Sequence, residues 1–132
     1  MNFDLFNEKS KLLINQAQNM AKFYNNQHVL VEHLIHILIN NNDSCLEDFL
    51  KNCEIEKLDF IKLIENKILK VPKVLGENLN IFLSNELINI LEESKTIKNE
   101  FNDSFISPEI ILYTIISNKD LEITKLLSES IL

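Results

Sequence analysis

Three histidines and a glutamate lie within nine residues of the first half of the chain, in the stretch NNQHVLVEHLIHILINNND at residues 25–43. His33 and His36 are three residues apart, so a helix would place both imidazoles on one face. With His28 and Glu32 completing the set, these side chains could hold a metal ion or carry out acid–base chemistry. The third interpretation is a packed helix whose imidazoles are partly buried and hydrogen bonded.

A second stretch of the sequence bears on this choice. Shifting the chain by 77 residues, the separation of Glu32 and Glu109, aligns residues 25–43 with residues 102–120 without a gap. The three histidines then fall on Phe105, Ile110 and Tyr113. Positions that accept these residues in a duplicated unit are packing or half-buried positions. We therefore expect a packed helix and no metal site.

The same shift relates helix caps and apolar positions beyond this stretch. Asn7 falls on Ser84, and both residue types cap helices. Apolar residues meet apolar residues at pairs such as Leu13 and Ile90, Ile14 and Leu91, Val29 and Ile106, and Leu34 and Ile111. We interpret this as an internal duplication in one domain, with repeat one at 3–70, a linker at 71–80 and repeat two at 81–132.

The composition favours a fold of long helices with few breaks. A single glycine and two prolines disfavour an all-β fold, which needs many turn residues. In repeat one we expect helices from the Asn7 cap to about Tyr24, over about 32–40, from Asp43 or Ser44 onwards, and over about 56–70. Ser44 and Glu47 fit a capping box. Repeat two ends opposite Ile55 and so lacks the fourth helix, unless the sequence is part of a longer protein.

Charge and motifs exclude several classes of function. The net charge is −7 and all thirteen basic residues are lysines, so we expect no binding to nucleic acid. The apolar runs are too short to span a membrane. Phosphate-binding loops and nucleophile-elbow motifs are absent. Cys45 and Cys53, about 12 Å apart on one helix, are expected to be reduced thiols. We therefore expect a binding protein without catalytic residues.

Residues 103–109 give the strongest local signal. Ser107 can cap a helix, and Pro108 suits the first helical position. The negative charge of Glu109 would be stabilised by the positive end of the helix dipole. These three residues are explained by a well-formed helix start alone. Asp103 lies just upstream, however, so two acids bracket the apolar residues between them.

The order of these segments resembles a known family. QAQNMAKFYNNQHVLVEHLIHIL, VPKVLG and DSFISPEIIL, taken in sequence, resemble the N-terminal domain of the Clp/Hsp-hundred chaperone ATPases, most closely the ClpB disaggregase branch. The resemblance covers residues 3–132. It implies a fold of two four-helix pseudo-repeats packed as one all-α domain. It also implies a domain that engages unfolded or aggregated polypeptide, or an adaptor protein, ahead of two ATPase modules. ATP and magnesium would bind those modules and not this chain, for which no cofactor is expected.

The resemblance also implies a peptide-binding groove near the junction of the repeats. The matching positions are Leu91 and Ile110 for an apolar wall, Asp103 and Glu109 for an acidic rim, Leu13, Ile14 and Leu87 for an extension of the wall, and Asn7 at one end. Many ClpB-like sequences carry threonine at the position of Asn7, which leaves a hydroxyl contact there in question. Leu87 and Leu91 fit the core of the domain equally well, and the sequence leaves both interpretations open.

We expect a cytoplasmic protein, with an organelle matrix as the alternative. The isolated domain should be a monomer, and the parent chaperone a hexameric ring. A different class of function is a free-standing adaptor or regulator built on the same domain without its own ATPase. An open reading frame that continues past Leu132 into a nucleotide-binding motif would favour the disaggregase.

Overall fold

The computed structural model describes residues 2–76 and 80–125, which form an all-α domain with two very short strand pairings. Repeat one contains α1 (Glu8–Phe23), β1 (His28–Val29), α2 (Val31–Asn40), α3 (Ser44–Asn52) and α4 (Lys57–Leu69). Repeat two contains β2 (Phe82–Leu83), α5 (Asn85–Glu100) and α6 (Pro108–Ser117), and residues 122–125 are again helical.

The helix bounds confirm the duplication. α5 begins and ends 77 residues after α1, and α6 begins and ends 77 residues after α2. The predicted caps also correspond. The Asn7 side chain accepts the N–H of Ser10 at 2.9 Å, and the Ser84 hydroxyl accepts the N–H of Leu87 at 3.1 Å. Each cap satisfies a backbone donor that has no partner within its helix.

The start of α3 settles one alternative that the sequence left open. Asp43 is the cap, because its carboxylate accepts the N–H of Leu46 at 2.9 Å. The predicted capping box of Ser44 and Glu47 is wrong. Glu47 instead pairs with Lys57 at the beginning of α4, at 2.5 Å, and so ties two consecutive helices together.

Short extended segments of one repeat pair with those of the other. β1 pairs in parallel with β2, with Val29 opposite Leu83, and Phe6 pairs in parallel with Ile106. These pairings are related by the 77-residue shift, since Val29 corresponds to Ile106 and Leu83 to Phe6. The Asn7 N–H bonds to the Ile106 carbonyl at 2.9 Å, as the Ser84 N–H bonds to the Val29 carbonyl. Backbone hydrogen bonds therefore join the two repeats at two equivalent places.

Asparagine takes the place of glycine at the helix ends. Asn25 and Asn102 follow α1 and α5 with φ of 58° and 56°, a left-handed conformation that asparagine tolerates better than most residues. The next N–H then bonds back into the helix, from Asn26 to Ala21 at 2.8 Å and from Asp103 to Lys98 at 3.1 Å. This motif explains how a chain with one glycine ends its helices.

One core runs through both repeats. Its fully buried large side chains lie on α2, α3, α4 and α5 and in the segments just before α1 and α6, and include Phe6, Leu34, Ile39, Phe60, Ile64, Leu87, Ile90, Leu91 and Ile106. α1 packs on α2, α5 on α6 and α4 on α2, and α1 also meets α6 across the junction. No helix in the described residues is both long and apolar enough to cross a membrane.

The repeat bounds of 3–70 and 81–132 stay a prediction. α4 ends at Leu69 and the described part of 71–80 is neither helix nor strand, as a linker would be. Residues 77–79 and 126–132 lie outside the described part of the chain, however, and the end of repeat two with them.

Candidate functional site

A cleft lies where α1 meets the start of α6 and the end of α2; we call it the junction cleft. The exchanged strands hold these elements together, and the buried Ser10 hydroxyl donates to the Ile106 carbonyl at 2.8 Å. The cleft measures about 230 Å³ and is lined by Lys9, Leu12, Leu13, Gln16, Leu38, Asn41, Asp43, Pro108 and Glu109.

The junction cleft has an apolar floor and a charged rim. Leu13 and Leu38 are buried at its base, whereas Leu12 is 55% exposed on the turn of α1 above them. Lys9 and Glu109 are both exposed at the edge. An aliphatic side chain of a bound peptide would find apolar surface here, with a charge of either sign within reach.

A second cleft of about 280 Å³ lies beside it, and we call it the aromatic groove. It is lined by Phe101, Asp103, Ser107, Glu109, Ile110 and Tyr113. The rings of Phe101 and Tyr113 meet edge to face, with centroids 5.1 Å apart and planes at 86°. About half of each side chain is exposed, at 51% and 48%.

The backbone places the groove's acid at its edge. α5 ends at Glu100, the left-handed Asn102 reverses the chain, and Asp103 follows with its side chain in solvent. The ammonium of Lys98, itself nearly buried, donates to the backbone carbonyl of Asp103 at 3.4 Å and not to its carboxylate. Among the described residues, the carboxylates of Asp103 and Glu109 have no ion-pair partner within 4 Å.

Glu109 belongs to both clefts, so its charge acts on each. Partial burial raises the pKa of the Cys45 thiol, and the negative charges of Asp43, Glu109 and Asp48 raise it further. Cys45 is exposed near the start of α3, so the acidic field extends from α6 along the junction. This field would attract basic segments of a partner.

The structure brings four of the predicted groove residues to these clefts. Asp103, Glu109 and Ile110 line the aromatic groove, and Leu13 lines the junction cleft with Glu109. Leu87 and Leu91 line neither; both are completely buried, and they offer no surface to a ligand in this conformation. The side-chain oxygen of Asn7 is occupied as the cap of α1. Ile14, 4% exposed, is also a core residue.

Sequence reasoning missed Leu12, Phe101 and Tyr113 as surface residues. Leu12 is off the buried face of α1, since Leu13, Ile14 and Ala17 fill that face, and helical periodicity alone could have identified it. Tyr113 and Phe101 align with residues that are more buried in repeat one, so the repeat pointed to the opposite conclusion. The exposure of both rings depends on which segment packs over them, and residue spacing along one helix does not show this.

The side chains of His33 and His36 form hydrogen bonds within the domain. Nδ1 of the buried His33 accepts the N–H of Leu30 at 2.8 Å, and Nε2 lies 2.9 Å from the Asn26 side-chain oxygen, to which it donates. His36 bonds to Asn40 and, through Nε2 at 3.3 Å, to Glu65 of α4. Among the described residues, no group of three or more His, Cys, Asp and Glu is arranged to hold a metal ion.

Glu32 is the counterpart of Glu109 in repeat one, and its environment differs. One of its carboxylate oxygens is buried without a hydrogen-bond partner. Burial raises the pKa of this carboxyl, the neighbouring charges of Glu86 and Glu122 raise it further, and Lys67 of α4 opposes them. The same repeat position is thus enclosed at one junction and open at the other.

Comparison with known proteins is consistent with this architecture. Residues 5–130 match the family described as the Clp repeat (R) N-terminal domain. The chain belongs to this family. Over 110 residues, or 83% of its length, this Clp N-terminal domain is 37% identical to chaperone protein ClpB of Prochlorococcus marinus. It spans 12% of the length of that relative.

Solved structures share the fold of this Clp N-terminal domain. The Hsp104 N-terminal domain from Candida albicans aligns with a TM-score of 0.80 at 22% identity, covering 95% of this chain and 81% of that one. The N-domain of ClpV from Vibrio cholerae aligns at 0.81 and 19%, covering 98% and 79%. A complex of a ClpV N-domain with a VipB peptide aligns at 0.75 and 19%, covering 98% and 81%.

Proposed function

We propose that this chain is the substrate- or adaptor-binding N-terminal domain of an ATP-dependent, ClpB-like protein disaggregase, and that it binds unfolded or aggregated polypeptide at the junction cleft. The observation that carries the proposal is family membership over residues 5–130 together with an open apolar cleft at the repeat junction. The peptide complex of the related ClpV N-domain supports binding of a polypeptide segment by this fold.

The chemistry of the cleft suits weak and reversible binding. Leu12 presents aliphatic surface, and covering such surface is favourable by about 25 cal/mol per Å². The cleft is small, and an unfolded segment loses conformational entropy when it binds, so only a modest net affinity remains. The acids at the rim accelerate association with basic segments more than they tighten it. A domain that passes its client to an ATPase ring needs such properties.

Substituting Leu12 by aspartate tests the site. We expect Leu12→Asp to weaken binding of reduced and carboxymethylated lactalbumin by about tenfold or more, because it removes apolar contact and introduces a charge. Fluorescence anisotropy of the labelled client would measure the dissociation constant. Leu58→Asp is the matched control, since Leu58 is a similarly exposed leucine (63%) on α4 that lines neither cleft.

Circular dichroism should show both variants folded. If Leu12→Asp binds the client like the parent protein, or if Leu58→Asp weakens binding equally, the client does not use the junction cleft. If the parent protein itself fails to bind any unfolded client, the proposed function is wrong.

A further inference from the structure

In repeat one, a histidine of α2 holds the loop between α1 and α2. Nε2 of His33 donates to the side-chain oxygen of Asn26 at 2.9 Å, and its Nδ1 accepts the N–H of Leu30 at 2.8 Å. The backbone N–H of Asn26 also donates to the Ala21 carbonyl at 2.8 Å. This loop is therefore attached near its beginning and at its end.

The corresponding loop of repeat two lacks such a histidine. Ile110 stands at the position of His33, and it has no polar side-chain atom, so α6 cannot hold the loop in the same way. Asp103 stands at the position of the buried Asn26 and is exposed. The loop that carries this acid must be held by a residue of a different kind.

Lys98, in the last turn of α5, contacts this loop. Its ammonium donates to the backbone carbonyl of Asp103 at 3.4 Å, and its own carbonyl accepts the Asp103 N–H at 3.1 Å. Two hydrogen bonds thus join the same pair of residues. Lys98 stands at the position of Ala21, whose methyl group cannot donate a hydrogen bond.

The burial of Lys98 requires an explanation beyond packing. The residue is 9% exposed, and its ammonium takes part in no ion pair within the described part of the chain. Lysine is seldom buried without a paired charge, because removing an ammonium from water is costly. An apolar side chain could fill the same space without that cost, so the hydrogen bond to the loop is what a lysine adds here.

We propose that Lys98 is a positioning residue for Asp103, whose carboxylate steers basic segments of a client toward the repeat junction. The ammonium fixes the backbone of Asp103 from the α5 side while the carboxylate stays in solvent, on the same cleft as Glu109. Lys98 acts through Asp103 and does not itself touch the client. This inference rests on the proposed function and deepens it, because it names the residue that holds one of the rim acids in place.

The direction of the effect of Lys98→Met tests the proposal, since methionine keeps the length of the side chain but removes its charge and hydrogen bond. If the charge of Lys98 acted alone, removing it would make the rim more negative and accelerate association with a basic client. We expect a decrease in the association rate constant of roughly threefold or more, because Asp103 is no longer held in place. Stopped-flow fluorescence at low ionic strength would measure this rate with labelled, reduced and carboxamidomethylated lysozyme, an unfolded basic chain.

Lys95→Met is the matched control. Lys95 lies three residues earlier on α5 and pairs with Glu92, so the variant removes the same charge without a contact to the loop. It should leave the association rate unchanged or raise it slightly. Lys98→Arg keeps a charged donor and should restore much of the rate. In an Asp103→Asn background, Lys98→Met should have almost no further effect, because the carboxylate that it positions is gone.

Hydrogen exchange of the backbone amides measures the order of the loop itself. The Asp103 amide should be protected in the parent protein about as well as the Asn26 amide, and it should exchange about tenfold faster in Lys98→Met. A freely exchanging Asp103 amide in the parent protein overturns the proposal, even if Lys98→Met does not fold. An association rate that rises in Lys98→Met, or that falls equally in the Asp103→Asn background, shows that Lys98 does not act through Asp103.

The binding results separate this inference from the proposed function. If unfolded lysozyme binds in a manner that depends on Leu12, but associates with Asp103→Asn as fast as with the parent protein, this inference alone is wrong. If the parent protein binds neither unfolded lysozyme nor unfolded lactalbumin, both proposals fail.

Discussion

Replacing Leu91 by aspartate is expected to unfold the domain. The Leu91 side chain is completely buried in the row of core positions along α5. An aspartate there would be a buried charge without a partner, which costs several kcal/mol, a large part of the roughly 5–15 kcal/mol that stabilises a typical domain. Leu91→Ala, a milder change, should lower the free energy of unfolding by about 2–5 kcal/mol.

Urea denaturation followed by circular dichroism measures both effects. Leu12→Asp provides the comparison within the same domain, since Leu12 is largely exposed and should tolerate the charge. A Leu91→Asp protein that folds with the stability of the parent, and loses only client binding, would place Leu91 on the groove wall that the family resemblance implies. The core packing described above would then be wrong.

Lowering the pH from 7 to 4 is expected to destabilise the domain through His33. Burial, and to a smaller extent the nearby His36, lowers the pKa of His33 to about 4. The unfolded chain has the ordinary histidine pKa of about 6.5, so between these values it binds a proton that the folded protein refuses. Stability is therefore fully present above pH 6.5 and is lost as the pH falls towards 4. The loss attributable to His33 is about 3 kcal/mol.

The hydrogen bond at Nδ1 acts in the same direction as burial. Nδ1 of His33 accepts the Leu30 N–H, and protonation would remove that acceptor. Glu32 acts in the opposite direction, because its raised pKa makes the folded protein bind a proton more readily than the unfolded chain. The difference between the parent and His33→Gln, measured by urea denaturation from pH 4 to pH 7.5, isolates His33. If the free energy of unfolding depends on pH equally in both proteins, or if NMR shows His33 titrating near pH 6.5, His33 is not the cause.

Local signals in the sequence predicted the repeated helices well. The caps at Asn7 and Ser84, and the apolar positions that follow them, depend on neighbours within one or two turns, so they can be recognised without the fold. The 77-residue shift then relates helices whose bounds agree at both ends. His33 and His36 are packed as predicted, and Ile110, the repeat-two counterpart of His33, is buried as well. The prediction was wrong for His28, which is exposed, as are Phe105 and Tyr113, the counterparts of His28 and His36.

Contacts between residues far apart in the sequence could not be predicted from these local signals. Strands of two residues, such as β1 and β2, carry too little pattern to be recognised, although they exchange between the repeats. The exposure of Tyr113 depends on the absence, within the described residues, of a helix like α4 above it. For Leu87 and Leu91, the spacing of apolar residues along α5 favoured the core, and only the family resemblance favoured the groove.

The central claim is that the junction between the repeats binds polypeptide. Mapping a bound client onto the domain tests this claim most directly. NMR backbone amide shifts of the labelled domain would be recorded with and without reduced and carboxymethylated lactalbumin. We predict shifts concentrated along the exposed edge of α1 around Leu12 and over residues 101–113. Shifts confined to the outer surface of α3 and α4, around Leu58, with none at the junction, would contradict it.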